Sequence, residues 1–190
     1  LALKRRFGLR IVGPKAEADR IPGIDETVRE GDALALGSQE IRVIETPGHT
    51  AGHVCYHLPA AGIVFTADTL FALGCGRLFE APPETMFASL GKLAALPGQT
   101  AVYCGHEYTL SNARFALSVD PGNERLKARA ARVEALRAQG KPTLPTTIAE
   151  ELATNPFLRA ADPAIRKTLG MEAASDAQVF AELRRRKDSF

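Results

Sequence analysis

The sequence lacks the features that mark several large classes of protein. No apolar run approaches the roughly 18 residues that a membrane-spanning helix needs, and no secretory leader pattern opens the chain. Only three cysteines occur among 190 residues. They are odd in number and lack zinc-knuckle spacing, so neither a disulfide framework nor a cysteine zinc site is indicated. Cys55 and Cys104 lie in strand-like runs and read as small buried hydrophobes; a reducing, cytoplasmic setting fits them. A net charge of +2 gives no bulk attraction for nucleic acid. There are no internal repeats or low-complexity tracts. What is present, 45% hydrophobic and 24% charged residues, suffices for a real core. A further absence is local: the chain opens on Leu1-Ala-Leu-Lys-Arg-Arg-Phe7, which reads as the interior of a helix with no N-cap, as though sequence preceded it.

Gly8 ends that helix, and Leu9–Val12 reads as a short strand ending at Gly13-Pro14. Residues 15–31 are charged and turn-rich and read as a loop with one helical turn at most. Ala33–Leu36 and Gln39–Glu45 form an expected hairpin about Gly37-Ser38, with Ile41 and Val43 inward and Arg42 outward. His53–Leu58 and Ile63–Thr66, joined by the Pro59–Gly62 turn, extend it into an antiparallel meander. A helix begins at Pro83, its apolar face formed by Met86, Phe87, Leu90, Leu93 and Ala94. Ala101–Cys104 is the last strand expected. From Tyr108 the character is helical: Leu110–Val119, a helix capped by Asn123, then capping boxes at Thr147–Glu150 and Ser175–Gln178. The expected fold class is α/β (α+β), a strand-rich part over residues 1–107 followed by an all-helical part over 108–190.

Three residues carry the chemistry. His49 follows Thr46-Pro-Gly48 after one strand, Asp68 ends the run Phe65-Thr-Ala, and His106 follows Tyr103-Cys-Gly105. Gly48 lets the chain turn sharply, so that His49 can leave the sheet edge. Loops at one end of a sheet converge, and imidazole with carboxylate suits zinc, iron or manganese. Taken singly each is an ordinary loop polar, and Asp68 a turn cap; together at three strand ends they indicate a metal site. His53 and His57 fall at steps of four from His49, but the glycines and the alternation of Val54, Tyr56 and Leu58 place them on a strand. His53 is expected to orient the loop by hydrogen bonding, and His57 to be exposed. The terminal Arg184-Arg-Arg-Lys187 reads by composition as a solvated basic helix end, favourable with the helix dipole.

Thr46-Pro-Gly-His-Thr-Ala-Gly-His53, Phe65-Thr-Ala-Asp-Thr-Leu-Phe71, Gly74-Cys-Gly-Arg-Leu-Phe-Glu80 and Tyr103-Cys-Gly-His-Glu-Tyr-Thr109 resemble the metallo-β-lactamase fold superfamily, and within it glyoxalase II (hydroxyacylglutathione hydrolase). Asn155-Pro-Phe157 and Leu183-Arg-Arg-Arg-Lys-Asp-Ser-Phe190 extend the resemblance through the tail. It implies a metallo-β-lactamase-like αββα sandwich, incomplete at its start, with a helical substrate-binding domain. The implied reaction is hydrolysis of S-lactoylglutathione to glutathione and D-lactate, the second step of methylglyoxal detoxification, by a monomer. The implied nucleophile is a hydroxide bridging two divalent metal ions, zinc first among the candidates. His49 would bind one ion, His106 the other, and Asp68 both. Arg77, Phe79 and Tyr108 fall at positions that contact glutathione, with Arg and Phe where relatives often have Lys and Tyr. Arg184 and Lys187 match the positions that hold its glycine carboxylate, while Arg185 and Arg186 stay solvated.

The family's Thr-His-x-His-x-Asp-His motif, source of four more ligands, does not occur in these 190 residues. The expectation is therefore that these 190 residues by themselves bind metal weakly, show little thioesterase activity, and leave a sheet edge and core face open. Two other readings share the motifs: a non-catalytic member that binds glutathione conjugates, and another enzyme of the fold such as a mononuclear iron persulfide dioxygenase.

Overall fold

A computed structural model describes residues 1–190. The chain opens with α1 (Ala2–Phe7), stopped by Gly8 in the left-handed conformation at φ 64°. The turn-rich stretch that follows is more ordered than its composition implied. β1 (Val12–Pro14) starts three residues later than expected and pairs in parallel with β2 (Glu26–Val28) across a 3-10 segment over Lys15–Arg20. Strands of three residues are too short to show alternation. A carboxylate fixes this pair instead: Asp25 accepts the Ile11 N–H at 2.8 Å.

β3 (Ala33–Leu36), β4 (Gln39–Glu45), β5 (Val54–Leu58) and β6 (Ile63–Ala67) form the antiparallel meander read from the sequence. Val43 is buried and Arg42 exposed, as expected. His57 is not: it is 8% exposed. Both faces of β5 are covered, so alternation along it does not separate inside from outside. β7 (Leu70–Phe71) and β8 (Gly74–Cys75) make a small hairpin that the sequence did not disclose. α2 (Pro83–Ala94) then buries Met86, Leu90 and Leu93, and β9 (Ala101–Cys104) lies parallel to β6.

The remainder is mostly helical: α3 (Thr109–Val119), α4 (Glu124–Ala138), α5 (Ile148–Thr154), α6 (Pro163–Leu169) and α7 (Asp176–Asp188). One strand interrupts it, contrary to expectation. β10 (Thr146–Thr147) pairs with β9 and completes a six-stranded sheet of order β10-β9-β6-β5-β4-β3. Two residues carry no periodicity; the open edge of β9 recruits them. The cap at Asn123 accepts the Leu126 N–H at 3.1 Å, and the box at Ser175–Gln178 is complete. The box at Thr147 forms only by half. Thr147 accepts the Glu150 N–H, but the Glu150 carboxylate turns to Arg132.

One core unites the two parts. Cys55, Val64 and Val102 from the sheet pack in the same cluster as Phe115, Phe157, Phe180 and Leu183 from the helices. Each of these valine, leucine and phenylalanine side chains contributes about 1.5–3 kcal/mol by leaving water. The helical tail is thereby held against the strand ends that carry His49, Asp68 and His106. The opposite face has sparser cover: Phe65 and Tyr103 remain exposed there, 5.6 Å apart.

Candidate metal centre and substrate cleft

The loop between β4 and β5 presents His49. Two carboxylates hold its backbone: Glu80 accepts the Ala51 N–H and Glu17 the Gly52 N–H, each at 2.8 Å. The His49 Nδ1 lies 3.0 Å from the Arg77 carbonyl oxygen. A carbonyl only accepts, so that bond places the proton on Nδ1 and leaves the Nε2 lone pair free. Nε2 faces Asp68, 3.7 Å from Oδ2. His106 approaches the same carboxylate from the other side, its Nε2 3.3 Å from Oδ1.

Asp68 owes its direction to an irregularity in β6. The register with β9 shifts between Phe65 and Ala67, and Ala67 has φ 40°, a conformation that costs a non-glycine residue about 1–3 kcal/mol. Such bulges re-aim a side chain out of a sheet. Two glycines give Asp68 its room. A Cβ on Gly76 would lie 2.0 Å from the Asp68 carbonyl oxygen, and one on Gly105 would lie 3.0 Å from Oδ1. His53 fixes the backbone, as the sequence suggested. Its Nε2 accepts the Asp68 N–H at 3.3 Å, and its Nδ1 meets the hydroxyls of Thr46 and Thr69, both at 2.9 Å. Burial, reinforced by the nearby His49, holds the His53 pKa below the ordinary imidazole value, in keeping with a neutral ring.

Asp68 Oδ1 is buried and has no hydrogen-bond partner; the His106 nitrogen nearby does not meet it with hydrogen-bond geometry. An unpaired buried carboxylate oxygen is costly, and a cation would satisfy it. The donor set fits: one carboxylate oxygen faces each imidazole. The fit is partial, since no group of three ligating side chains closes on a single point, whereas zinc usually takes four ligands.

A cleft of about 620 Å³ opens from this centre and is lined by all the residues expected to bind metal or substrate. Tyr108 stacks on His106 at 4.8 Å, with Phe71 edge-on to both. Phe79 is 67% exposed and packs 5.0 Å from His49. The far wall is cationic, and its two family-matched residues differ in freedom. Arg184 is 5% exposed, not part of a solvated helix end. It donates to the Cys75 carbonyl at 2.8 Å and to Asp188 at 2.9 Å, leaving Nε buried without a partner. Lys187 donates to the Ser111 hydroxyl at 3.0 Å. Burial first, then repulsion from Arg184 and Arg77, pushes its pKa below the usual lysine value. Arg185 and Arg186 point away and pair with Glu182. Asp188, Ser111 and Asn112 also line the cleft without having been singled out. Only Asp188 left a trace in the sequence, as the i+4 partner of Arg184.

The profile of the metallo-beta-lactamase superfamily matches residues 2–106, and that of the hydroxyacylglutathione hydrolase C-terminus matches residues 107–190. A protein of Mesorhizobium japonicum named hydroxyacylglutathione hydrolase is 72% identical over 190 residues, which is all of this chain and 74% of that protein. One of the same name from a Chelativorans species is 66% identical over the same share. Among solved structures, ETHE1 from Myxococcus xanthus aligns with a TM-score of 0.64 at 26% identity, covering 97% of this chain and 60% of its own. TTHA1623 in a di-iron-bound form aligns with a TM-score of 0.53 at 26% identity, covering 83% and 69%. Identity at this level over the whole chain, in its strand-rich and helical parts alike, places it in the hydroxyacylglutathione hydrolase family, thiolester hydrolases of the metallo-β-lactamase superfamily.

Proposed function

We propose that this protein hydrolyses S-(2-hydroxyacyl)glutathione, S-lactoylglutathione first among such thioesters, and that His49, Asp68 and His106 are metal ligands of its active site. The observation that carries the reading is the unpartnered Oδ1 of Asp68, a carboxylate flanked by the imidazoles of His106 and His49 at the foot of a cationic cleft. His49, Asp68 and His106 would be the residues of this chain that hold divalent ions; zinc, iron and manganese all accept nitrogen and oxygen ligands. When bound, such ions supply Lewis-acid polarisation of a carbonyl and water of lowered pKa.

The chain's own residues account for recognition. Arg77, Arg184 and Lys187 offer positive charge to the carboxylates of glutathione, and Asp188 keeps Arg184 aligned by accepting from it. Tyr108 contributes a hydroxyl beside His106, whereas Phe79 contributes apolar surface alone. The leaving thiolate needs little help: thiols ionise near pH 8.5, so no strong general acid is required. The division near residue 107 then separates a ligand-bearing part from a part that completes the substrate cleft. Three unpaired cysteines support a reducing compartment.

The test supplies zinc, iron or manganese to the protein, taken together with any sequence that precedes Leu1, and follows release of free thiol from S-lactoylglutathione. Turnover that a chelator abolishes and added metal restores is the expected result. Binding of the thioester without release of thiol, at full metal load, would overturn the proposal.

A further inference from the structure

The hairpin β7–β8 carries no ligand and no substrate-contacting cation, yet it joins Asp68 to Arg77. The Thr66 hydroxyl of β6 donates to the hairpin's Leu70 carbonyl at 2.7 Å, and the other side chains that hold its backbone come mainly from the helical part. Asn155 Nδ2 donates to the carbonyls of Phe71, at 3.3 Å, and Gly74, at 3.0 Å. Asn112 Nδ2 donates to the Ala72 carbonyl at 3.1 Å. The Glu151 carboxylate accepts the Leu73 N–H at 2.8 Å and also the Asn155 amide at 2.9 Å. Arg184 takes the Cys75 carbonyl. Glu151 and Asn155 are wholly buried, and Arg129 and Thr146 hold the second Glu151 oxygen.

Leu73 shows why such a bracket is required. It is fully buried with φ 60°, a left-handed conformation that a leucine adopts only when its surroundings impose it. The hairpin transmits its position directly. Gly76 bonds through its N–H to Thr69 and packs against the Asp68 carbonyl, and the Arg77 carbonyl accepts from His49. A shift of the hairpin therefore moves Asp68, Arg77 and the bond that sets the His49 tautomer.

We infer that Asn155, seated on Glu151, is a positioning residue of the metal centre: it clamps the 71–75 hairpin from the helical part and so fixes Asp68 and Arg77. The inference rests on the metal centre proposed above, and on the proposed substrate for its kinetic consequence alone. Asn155→Ala removes the clamp. Thr147→Ala is the control, since it deletes the N-cap of the same helix α5 without touching the hairpin. In Asn155→Ala, amide exchange at Leu73 and Gly76 should quicken at least tenfold, zinc affinity should fall at least tenfold, and kcat/KM on S-lactoylglutathione should fall at least tenfold. Thr147→Ala should stay within threefold of the parent in all three. Asn155→Ala that behaves like the control in exchange or in zinc affinity would overturn the inference, as would quickened exchange with unchanged zinc affinity. Exchange and zinc titration need no substrate. A parent protein inert toward the thioester would thus sink the functional reading while leaving the clamp to be judged on the other two measurements.

Discussion

The strand-rich and helical parts of this molecule divide the work unequally. His49, Asp68 and His106 stand on loops at strand ends, on a sheet whose outer strand β3 keeps most of its residues exposed. The helical part contributes no proposed ligand. It supplies Phe115, Phe157, Phe180 and Leu183 to the shared core, two of the cleft's cations, and the side chains that tie down the hairpin beyond Asp68. The proposed ligands are thus local in sequence motif but dependent in position. A centre that needs tightly placed donors is steadied by packing supplied from the other half of the chain.

The comparison can be broken at several points. The largest effect is expected from Asp68→Ala, because that carboxylate faces both imidazoles. Activity should fall on the order of a thousandfold or more while thermal unfolding stays near that of the parent. A large loss of stability would show that the strand-end loops bear packing after all. Glu151→Ala probes the other side. It strands the buried Arg129 and should cost about 3–5 kcal/mol in denaturant unfolding. A cost below about 1 kcal/mol would contradict the helical part's place as the stabilising half.

Lys187→Ala should raise KM roughly tenfold, with a smaller change in kcat, because a remote carboxylate contact acts on binding. Equal kcat loss at unchanged KM would move Lys187 toward the chemistry. The smallest effect concerns Glu182. Hydrogen bonds from Arg185, then Arg186, lower its pKa from 4.5 to about 2. A carboxylate held below its unfolded value stabilises the fold above about pH 4.5 and loses that contribution as pH falls toward 2. The pair lies at the surface, so the contribution is below about 1 kcal/mol. Glu182→Gln should flatten that part of the stability–pH curve, as equilibrium unfolding across pH 2–6 would show.

The parts of the fold legible in the sequence were those with periodicity or caps. The β3–β6 meander, the buried face of α2, the cap at Asn123 and the box at Ser175 all followed from local rules. The short elements did not. β1, β2, β7, β8 and β10 have two or three residues each, too few for a pattern, and partners distant in sequence hold them. His57 was misplaced for a related reason, since cover on both faces of β5 comes from elsewhere in the chain.

The site divides along the same line. The residue types at 49, 68 and 106, each just beyond a strand, pointed to metal binding, because imidazole and carboxylate supply nitrogen and oxygen donors. The tertiary structure decided how they meet: a bulge at Ala67, the close approaches at Gly76 and Gly105, and a hairpin clamped by Asn155 and Glu151 from more than 70 residues away. It also turned Arg184 inward while Arg185 and Arg186 paired with Glu182 instead. Helix periodicity says which residues share a face, but only the packed partner says which face is buried.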